Sequence, residues 1–212
     1  MRGKRIRESK RPEESGRPLR GPRTGRPRHD GYMAFELQPI LSGDLVLLRP
    51  LRAEDFDDLY AVASDPLIWE QHPARDRYRI EVFRQLFAES LASGGALAAI
   101  DRKEGKTIGS SRFHGYDEAR SEIEIGWTFL ARRYWGGAYN GEMKRLMLGH
   151  AFRFVRRAIF LVGPRNVRSQ KAMEKIGGVR EGFRRDGRGH EALVYRIDAP
   201  GPGERPRWMG PG

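Results

Sequence analysis

Residues 122–178 constrain the fold of this chain more than any other stretch. In order, they read as a strand of alternating acidic and apolar residues, a glycine-rich turn, a helix, an apolar strand and a second helix. The continuous apolar run at 158–162 is typical of a parallel strand that is buried on both faces. A strand, a helix and a strand in succession predict a parallel crossover, so we expect a mixed sheet.

The residues on either side of this stretch predict a mostly antiparallel arrangement. Apolar residues recur at helical spacing in 53–64 and 80–91. Further strands are predicted where short apolar runs end at proline, glycine or charged turns, at 45–50, 96–100, 107–116, 182–186 and 193–197. We therefore predict an α/β (α+β) fold with a mixed, mostly antiparallel sheet and helices on both faces.

Composition limits the classes of protein to consider. A chain of 212 residues without an internal linker favours one domain, predicted at 33–198, with disordered tails at 1–32 and 199–212. The absence of cysteine excludes a disulfide framework, a thiolate zinc site and a thiol nucleophile. No run of 18 apolar residues and no secretory segment are found, so we expect a cytoplasmic protein without membrane contact.

Most of the positive charge lies in the amino-terminal tail. Residues 1–32 hold 11 of the 40 Lys and Arg residues and 4 of the 28 Asp and Glu residues, which is +7 of the net +12. Clustered arginine gains affinity for RNA and other polyanions by releasing counterions from phosphates. The same composition fits a solubilising tail or a misassigned start, with Met33 as the first residue.

The strand at 122–130 carries the candidate acid–base groups. Alternation places Ile123, Ile125, Trp127 and Phe129 on one face and Glu122 and Glu124 on the other. On an open sheet these carboxylates would be solvated, whereas on a covered face they must be paired or functional. Glu124 is nearer the middle of the strand and is the stronger candidate.

Two segments after this strand resemble binding elements. Small residues at 136, 137, 138 and 141 precede and open a helix, where free backbone amides can bind phosphate. Close packing of the helix on the strand would explain the same residues. Asn166 begins the next helix, where its side chain can simply cap the helix. Ser169 lies three residues inside the helix, so its hydroxyl either bonds the preceding turn or faces another group.

These residues resemble the signatures of the GNAT superfamily of acyl-CoA-dependent N-acetyltransferases. Arg133-x-x-Gly136-x-Ala138 matches its Arg/Gln-x-x-Gly-x-Gly/Ala motif. Asn166-x-x-Ser169 and Glu174-Lys175-x-Gly177 follow in the order found in the branch that includes the ribosomal-protein N-terminal acetyltransferases. The similarity extends over residues 45–197.

The resemblance implies a GNAT-like sheet in which two central strands splay apart to admit acetyl-CoA, with no metal. Asn166 would bind the pantetheine arm and Ser169 would lie near the thioester sulfur. Many relatives have a tyrosine, the general acid, where this chain has Met173, so the acid role moves to Ser169 or water. The coenzyme pyrophosphate would be held by the backbone of Arg133, Gly136, Gly137, Ala138, Tyr139 and Gly141.

The expected reaction is direct acetyl transfer to a primary amine of a small molecule or a protein amino terminus. Glu124 is the candidate base, with Glu122 or His114 as alternatives. Asp65, Glu70 and Asp76 could attract the amine. An acyl-CoA-binding domain without turnover and a ribosome- or RNA-associated protein that uses its basic tail remain alternatives, and the chain would be a monomer or a homodimer.

Overall fold

The protein is described by a computed structural model over residues 34–185 and 189–210. The basic segment 1–32 lies outside the described residues. Within these residues, eight strands form one sheet in the order β1-β2-β3-β4-β5-β6-β8-β7. The strands are β1 (Leu41–Ser42), β2 (Val46–Pro50), β3 (Ala96–Asp101), β4 (Thr107–Asp117), β5 (Glu122–Leu130), β6 (Arg157–Val162), β7 (Val179–Arg185) and β8 (Glu191–Asp198).

The sheet confirms the predicted mixed arrangement. β5 and β6 are parallel, while every other pair of neighbours is antiparallel. The crossover between β5 and β6 is made by the predicted helix. Because β2, β3, β4 and β5 pair in succession, the central part of the sheet is an antiparallel meander to which the parallel unit is attached.

In the described part of the chain, four α-helices cover the two faces of the sheet: α1 (Phe56–Ala63), α2 (Ile80–Ala92), α3 (Ala138–Ala151) and α4 (Val167–Lys175). α1 and α2 bury Leu59 and Phe83 in one apolar core. α3 buries Met143 and Met147 in a second core, on the other face. No helix in the described ranges is long and apolar enough to cross a membrane.

A β-bulge in β5 corrects the predicted alternation of that strand. Gly126 and Phe129 pair with Arg112 and Ser110 of β4, so Trp127 and Thr128 together face one residue of β4. Trp127 takes a positive φ of 50°, which is unusual for a residue with a side chain. Ile123 and Ile125 therefore pack in the α3 core as predicted, whereas Trp127 and Phe129 pack in the α1–α2 core.

β5 and β6 separate shortly after they begin. Their parallel register consists of Glu122 with Arg157, Ile123 with Ala158 and Glu124 with Ile159. The remainder of each strand runs on without pairing to the other. This confirms the two splayed central strands that the family resemblance implies.

The carboxyl-terminal part is more ordered than expected. β7 and β8 are longer than the predicted 182–186 and 193–197, although 186–188 lie outside the described residues. The segment 199–210, predicted to be disordered, contains a 3₁₀ helix at Arg207–Met209. Trp208 is buried there beside Phe152, with their ring centroids 5.7 Å apart. Burial of this aromatic side chain contributes apolar contacts that the surrounding Pro and Gly residues do not supply.

Candidate active site

The gap between β5 and β6 opens into a cleft of about 420 Å³. One wall is formed by residues 125–130 of β5, and the opposite wall by residues 160–162 of β6. The start of α3 closes one end, and α4 covers another side. Of the predicted site residues, the cleft brings together Gly136, Gly137, Gly141, Asn166 and Ser169.

The glycine turn and the amino terminus of α3 form a backbone site for an anion. Gly136 has a φ of 69°, a conformation that glycine adopts without strain. Gly137 precedes the first residue of α3, and no side chain caps the helix. The first amides of a helix lack intrahelical partners, so those of α3 are available to phosphate oxygens. A Cβ added at Gly136 or Gly141 would lie more than 4 Å from the described residues outside its own turn, so both glycines face open space.

A buried carboxylate holds this turn in position. Asp101 accepts hydrogen bonds from the hydroxyls of Tyr134 at 3.0 Å and Tyr139 at 3.2 Å. Burial would raise the pKa of Asp101, but hydrogen bonds from the Lys103 amide and the two hydroxyls outweigh it and lower the pKa. Arg133 donates to Tyr134 at 2.6 Å. The side chain of Tyr139 is thus engaged by Asp101, and that of Arg133 by Tyr134 and Glu104.

Asn166 serves as a helix cap and also lines the cleft. Its Oδ1 accepts a hydrogen bond from the Ser169 amide at 3.1 Å, and this leaves the side-chain NH₂ for a ligand carbonyl. Ser169 and Met173 line the same cleft, and Met173 is buried. The structure therefore puts the residue that replaces the tyrosine of many relatives inside the cleft, where it has no proton to donate.

The two carboxylates of β5 lie in different surroundings. Glu124 is adjacent to the cleft, since its Oε1 lies 3.3 Å from the position of a Cβ built on Gly126. In the sheet, Glu124 lies opposite His114 of β4. Partial burial and the Arg112 guanidinium lower the pKa of His114. Neither Glu124 nor His114 is among the lining residues.

Glu122 does not reach the cleft. Its carboxylate is buried at the start of β5, 3.8 Å from Arg157 and 3.9 Å from Arg184. The paired end of β5 and β6 separates it from the open end. These contacts give Glu122 a structural role, which alternation in the sequence could not distinguish from a catalytic one.

The predicted acceptor segment 66–77 contributes one end of the cleft. Trp69, His72 and Arg77 line it, and the Arg77 guanidinium lies over the Trp69 ring at 5.5 Å. Asp65 and Glu70, expected to attract an amine, instead form ion pairs with Arg132 and Arg168. The lining residues within the described chain include basic groups and histidine but no carboxylate.

Lys144 is a cleft residue that sequence reasoning missed. Its charge alone would favour an exposed position on α3, yet it is buried and lines the gap. Its Nζ donates a hydrogen bond to Thr128 Oγ1 at 2.8 Å. Lys144 lies one residue from Met143 and three from Met147, both on the core side of α3. This spacing could have indicated that Lys144 also faces the core.

The donor set fits an acyl-CoA. Free helix amides next to flexible glycines suit a pyrophosphate, while the two unpaired strand edges suit the amides of an extended arm. Gly136 and Gly141 leave room for the ligand in the space that a larger side chain would occupy.

Comparison with known proteins agrees with this geometry. The family profile for the acetyltransferase (GNAT) domain matches residues 46–179, so the chain belongs to the GNAT acetyltransferases. Its class of activity is acyl-CoA-dependent N-acetyl transfer. No curated protein gives a significant match.

Three solved structures illustrate the shared fold. A GCN5-related N-acetyltransferase from Brucella melitensis is 24% identical, with a TM-score of 0.64 over 76% of this chain and 79% of that one. Mycobacterium smegmatis RimJ in complex with CoA-disulfide is 20% identical, with a TM-score of 0.56 over 73% and 82%. The ribosomal-protein-S5-alanine acetyltransferase from Vibrio fischeri is 15% identical, with a TM-score of 0.58 over 76% and 97%.

Proposed function

We propose that this protein transfers an acetyl group from acetyl-CoA to a primary amine, of a small molecule or a protein amino terminus, by direct attack. The observation that carries the proposal is the gap between β5 and β6, which leads to the uncapped start of α3. In this arrangement the helix amides hold the pyrophosphate, and the NH₂ of Asn166 binds a carbonyl of the pantetheine arm.

Glu124 is the base that we assign. A primary amine is mostly protonated at neutral pH, so a proton must leave it before or during attack. Glu124 lies beside Gly126 on the α1–α2 face of β5, and a water can connect its carboxylate to the cleft. The bulge at Trp127 takes backbone groups of β5 out of the ladder, and we assign these amides to the thioester carbonyl.

The test is a coenzyme-release assay against an amine panel, with acetyl-CoA binding measured separately by calorimetry. Peptides with free amino termini belong in the panel because ribosomal-protein acetyltransferases share the fold. We expect binding of acetyl-CoA and turnover with at least one acceptor class. Absence of binding would contradict the proposal, whereas binding without turnover on any amine would favour an acyl-CoA-binding role.

Glu124→Gln and Glu122→Gln form a matched pair on one strand. We expect Glu124→Gln to reduce turnover by about 100-fold, the usual contribution of one acid–base group. Glu122→Gln should retain turnover because its carboxylate is paired with Arg157 and Arg184 away from the cleft. Full turnover by Glu124→Gln would remove the assigned base.

A second function, RNA or ribosome contact, is favoured by one observation, the charge of +7 in residues 1–32. Deletion of these residues should abolish salt-sensitive RNA affinity and leave acetyl transfer intact. If the deletion leaves RNA affinity unchanged, the tail has no such role.

A further inference from the structure

Lys144 lies where β5 and β6 separate. It extends from α3 toward the gap, with 4% of its surface exposed. Its Nζ contacts both walls, at 2.8 Å from Thr128 Oγ1 on β5 and 5.0 Å from the centroid of the Phe160 ring on β6. An ammonium has three donors, and Thr128 accepts one of them. The remaining donors are available to a group that enters the gap.

No carboxylate in the described part of the chain neutralises this ammonium. Glu142, two residues earlier on α3, is engaged by the backbone amides of residues 44–46 and by Arg145. Burial alone lowers the pKa of Lys144 to about 7, so both protonation states are populated near neutral pH. The charged or titratable groups that share the cleft are His72 and Arg77 from the loop before α2 and Arg168, Lys171 and Lys175 from α4.

The positions of Lys144 and Glu124 separate the two proton transfers of the reaction. Glu124 alternates with Ile123 and Ile125, so it lies on the α1–α2 face of β5, whereas Lys144 approaches from the α3 face. If the amine is deprotonated on one face of β5 and the sulfur is protonated on the other, two different side chains can carry out the two proton transfers. Met173 cannot donate a proton to the sulfur, and the Ser169 hydroxyl is a far weaker acid than an ammonium.

We propose that Lys144 is a catalytic residue that donates the proton taken up by the departing coenzyme A thiolate. The proposal rests on the acetyl transfer proposed above. The amine nitrogen forms a bond to the acetyl carbon, the carbon–sulfur bond breaks, and its electron pair remains on sulfur. The substrate ammonium gives one proton to Glu124 or water before its nitrogen attacks, and the nitrogen loses a second proton to water as the amide forms. The sulfur takes a proton from the Lys144 ammonium, and solvent reprotonates Lys144.

The test compares Lys144→Met with the exposed control Lys106→Met. Lys144→Met should lower kcat by about 100-fold without changing the KM for acetyl-CoA. It should also remove the dependence of kcat on a group that titrates near pH 7. Lys106→Met should behave as the wild type, because Lys106 is solvent-exposed and pairs with Glu104 at the surface.

A binding measurement separates proton donation from anchoring of the coenzyme arm. The thiol of coenzyme A, followed by its ultraviolet thiolate absorbance, should ionise at a pH about one unit lower when bound to the wild type than when bound to Lys144→Met. Desulfo-coenzyme A, which lacks the sulfur, should bind both proteins equally. Weaker binding of desulfo-coenzyme A to Lys144→Met, with kcat unchanged, would identify an arm anchor and overturn the proposal.

Thr128→Val supplies a second variant should Lys144→Met fold poorly by circular dichroism. It removes the acceptor that holds Nζ but keeps the lysine, so we expect a smaller loss of kcat and a smaller change in thiol ionisation. An unchanged thiol ionisation in both variants would refute proton donation. Wild-type protein that fails to bind acetyl-CoA would instead contradict the proposed function itself.

Discussion

The buried ammonium of Lys144 makes stability depend on pH. In the unfolded chain the pKa of lysine is near 10.5, and in the folded protein burial lowers it to about 7. Below pH 7 both states carry the proton, and the cost of burying the charge is fully present. Between pH 7 and 10.5 the folded state has lost the proton while the unfolded state keeps it, so stability rises with pH.

Lys144→Met should therefore be more stable than the wild type at pH 6, by a few kcal/mol. From pH 7 to pH 9 this advantage should shrink by roughly 2–3 kcal/mol, at about 1.4 kcal/mol for each pH unit. Urea denaturation at a series of pH values measures it. An advantage that stays constant with pH would show that Lys144 is not neutralised by burial.

At the scale of elements, Glu142 fastens α3 to the edge of the sheet. Its carboxylate accepts hydrogen bonds from the amides of Asp44 at 3.0 Å, Leu45 at 2.7 Å and Val46 at 2.7 Å. Glu142→Gln keeps the size but presents an NH₂ group to some of these donors, so we expect a loss of roughly 2–3 kcal/mol in the free energy of unfolding. Chemical denaturation measures this loss.

The matched control for Glu142→Gln is Glu104→Gln. Glu104 pairs with Lys106 and Arg133 at the surface, so its substitution should leave the free energy of unfolding unchanged. Equal effects of the two substitutions would mean that the three amide contacts of Glu142 contribute no more than an exposed ion pair.

Substitutions at the two glycines of α3 can distinguish an effect on ligand binding from an effect on helix stability. Neither Gly141 nor Gly149 has an atom within 4 Å of an added Cβ, but only Gly141 lines the cleft. Alanine at either position should stabilise the helix by about 0.5–1 kcal/mol. Gly141→Ala should also weaken acetyl-CoA binding by about tenfold, or ~1.4 kcal/mol, because its methyl group enters the phosphate site.

Thermal denaturation and calorimetry with acetyl-CoA measure the two effects of each alanine. Gly149→Ala should bind acetyl-CoA as the wild type does. Unchanged affinity of Gly141→Ala for acetyl-CoA would contradict the assignment of the pyrophosphate site to the start of α3.

Local patterns predicted the elements because each depends on neighbouring residues. The spacing of apolar residues gave α1 and α2, and the run at 158–162 gave the buried parallel strand β6. Asn166 marked the start of α4, where it caps the helix in the structure. The glycine turn likewise placed the start of α3 at the cleft.

Features that depend on distant residues were not predictable in this way. The bulge at Trp127 exists because β5 pairs with β4 on one side and contributes to two cores, which alternation within β5 cannot reveal. The spacing from Met143 and Met147 places Lys144 toward the core side of α3, but only the folded chain shows that Thr128 and Phe160 enclose it. Position along the strand favoured Glu124 over Glu122, but the ion pairs of Glu122 with Arg157 and Arg184 are visible only in the folded chain.

At the scale of the whole molecule, the carboxyl-terminal segment closes the α3 core. Trp208 is 6% exposed, whereas the adjacent Met209 is 38% exposed. Trp208→Ala should lower the free energy of unfolding by about 3 kcal/mol because it empties a large buried site. Met209→Ala should change it by less than about 0.5 kcal/mol. Chemical denaturation compares the two, and equal effects would mean that 199–210 do not contribute to the core.

The early separation of β5 and β6 also divides the sheet mechanically. Among the described residues, three register pairs join the half containing β1 to β5 to the half containing β6 to β8. An extended ligand lying in the gap would connect the two halves by forming hydrogen bonds with their unpaired strand edges. Amide hydrogen exchange in β5 beyond Glu124 should therefore slow when coenzyme binds, and the loaded protein should be the stiffer one.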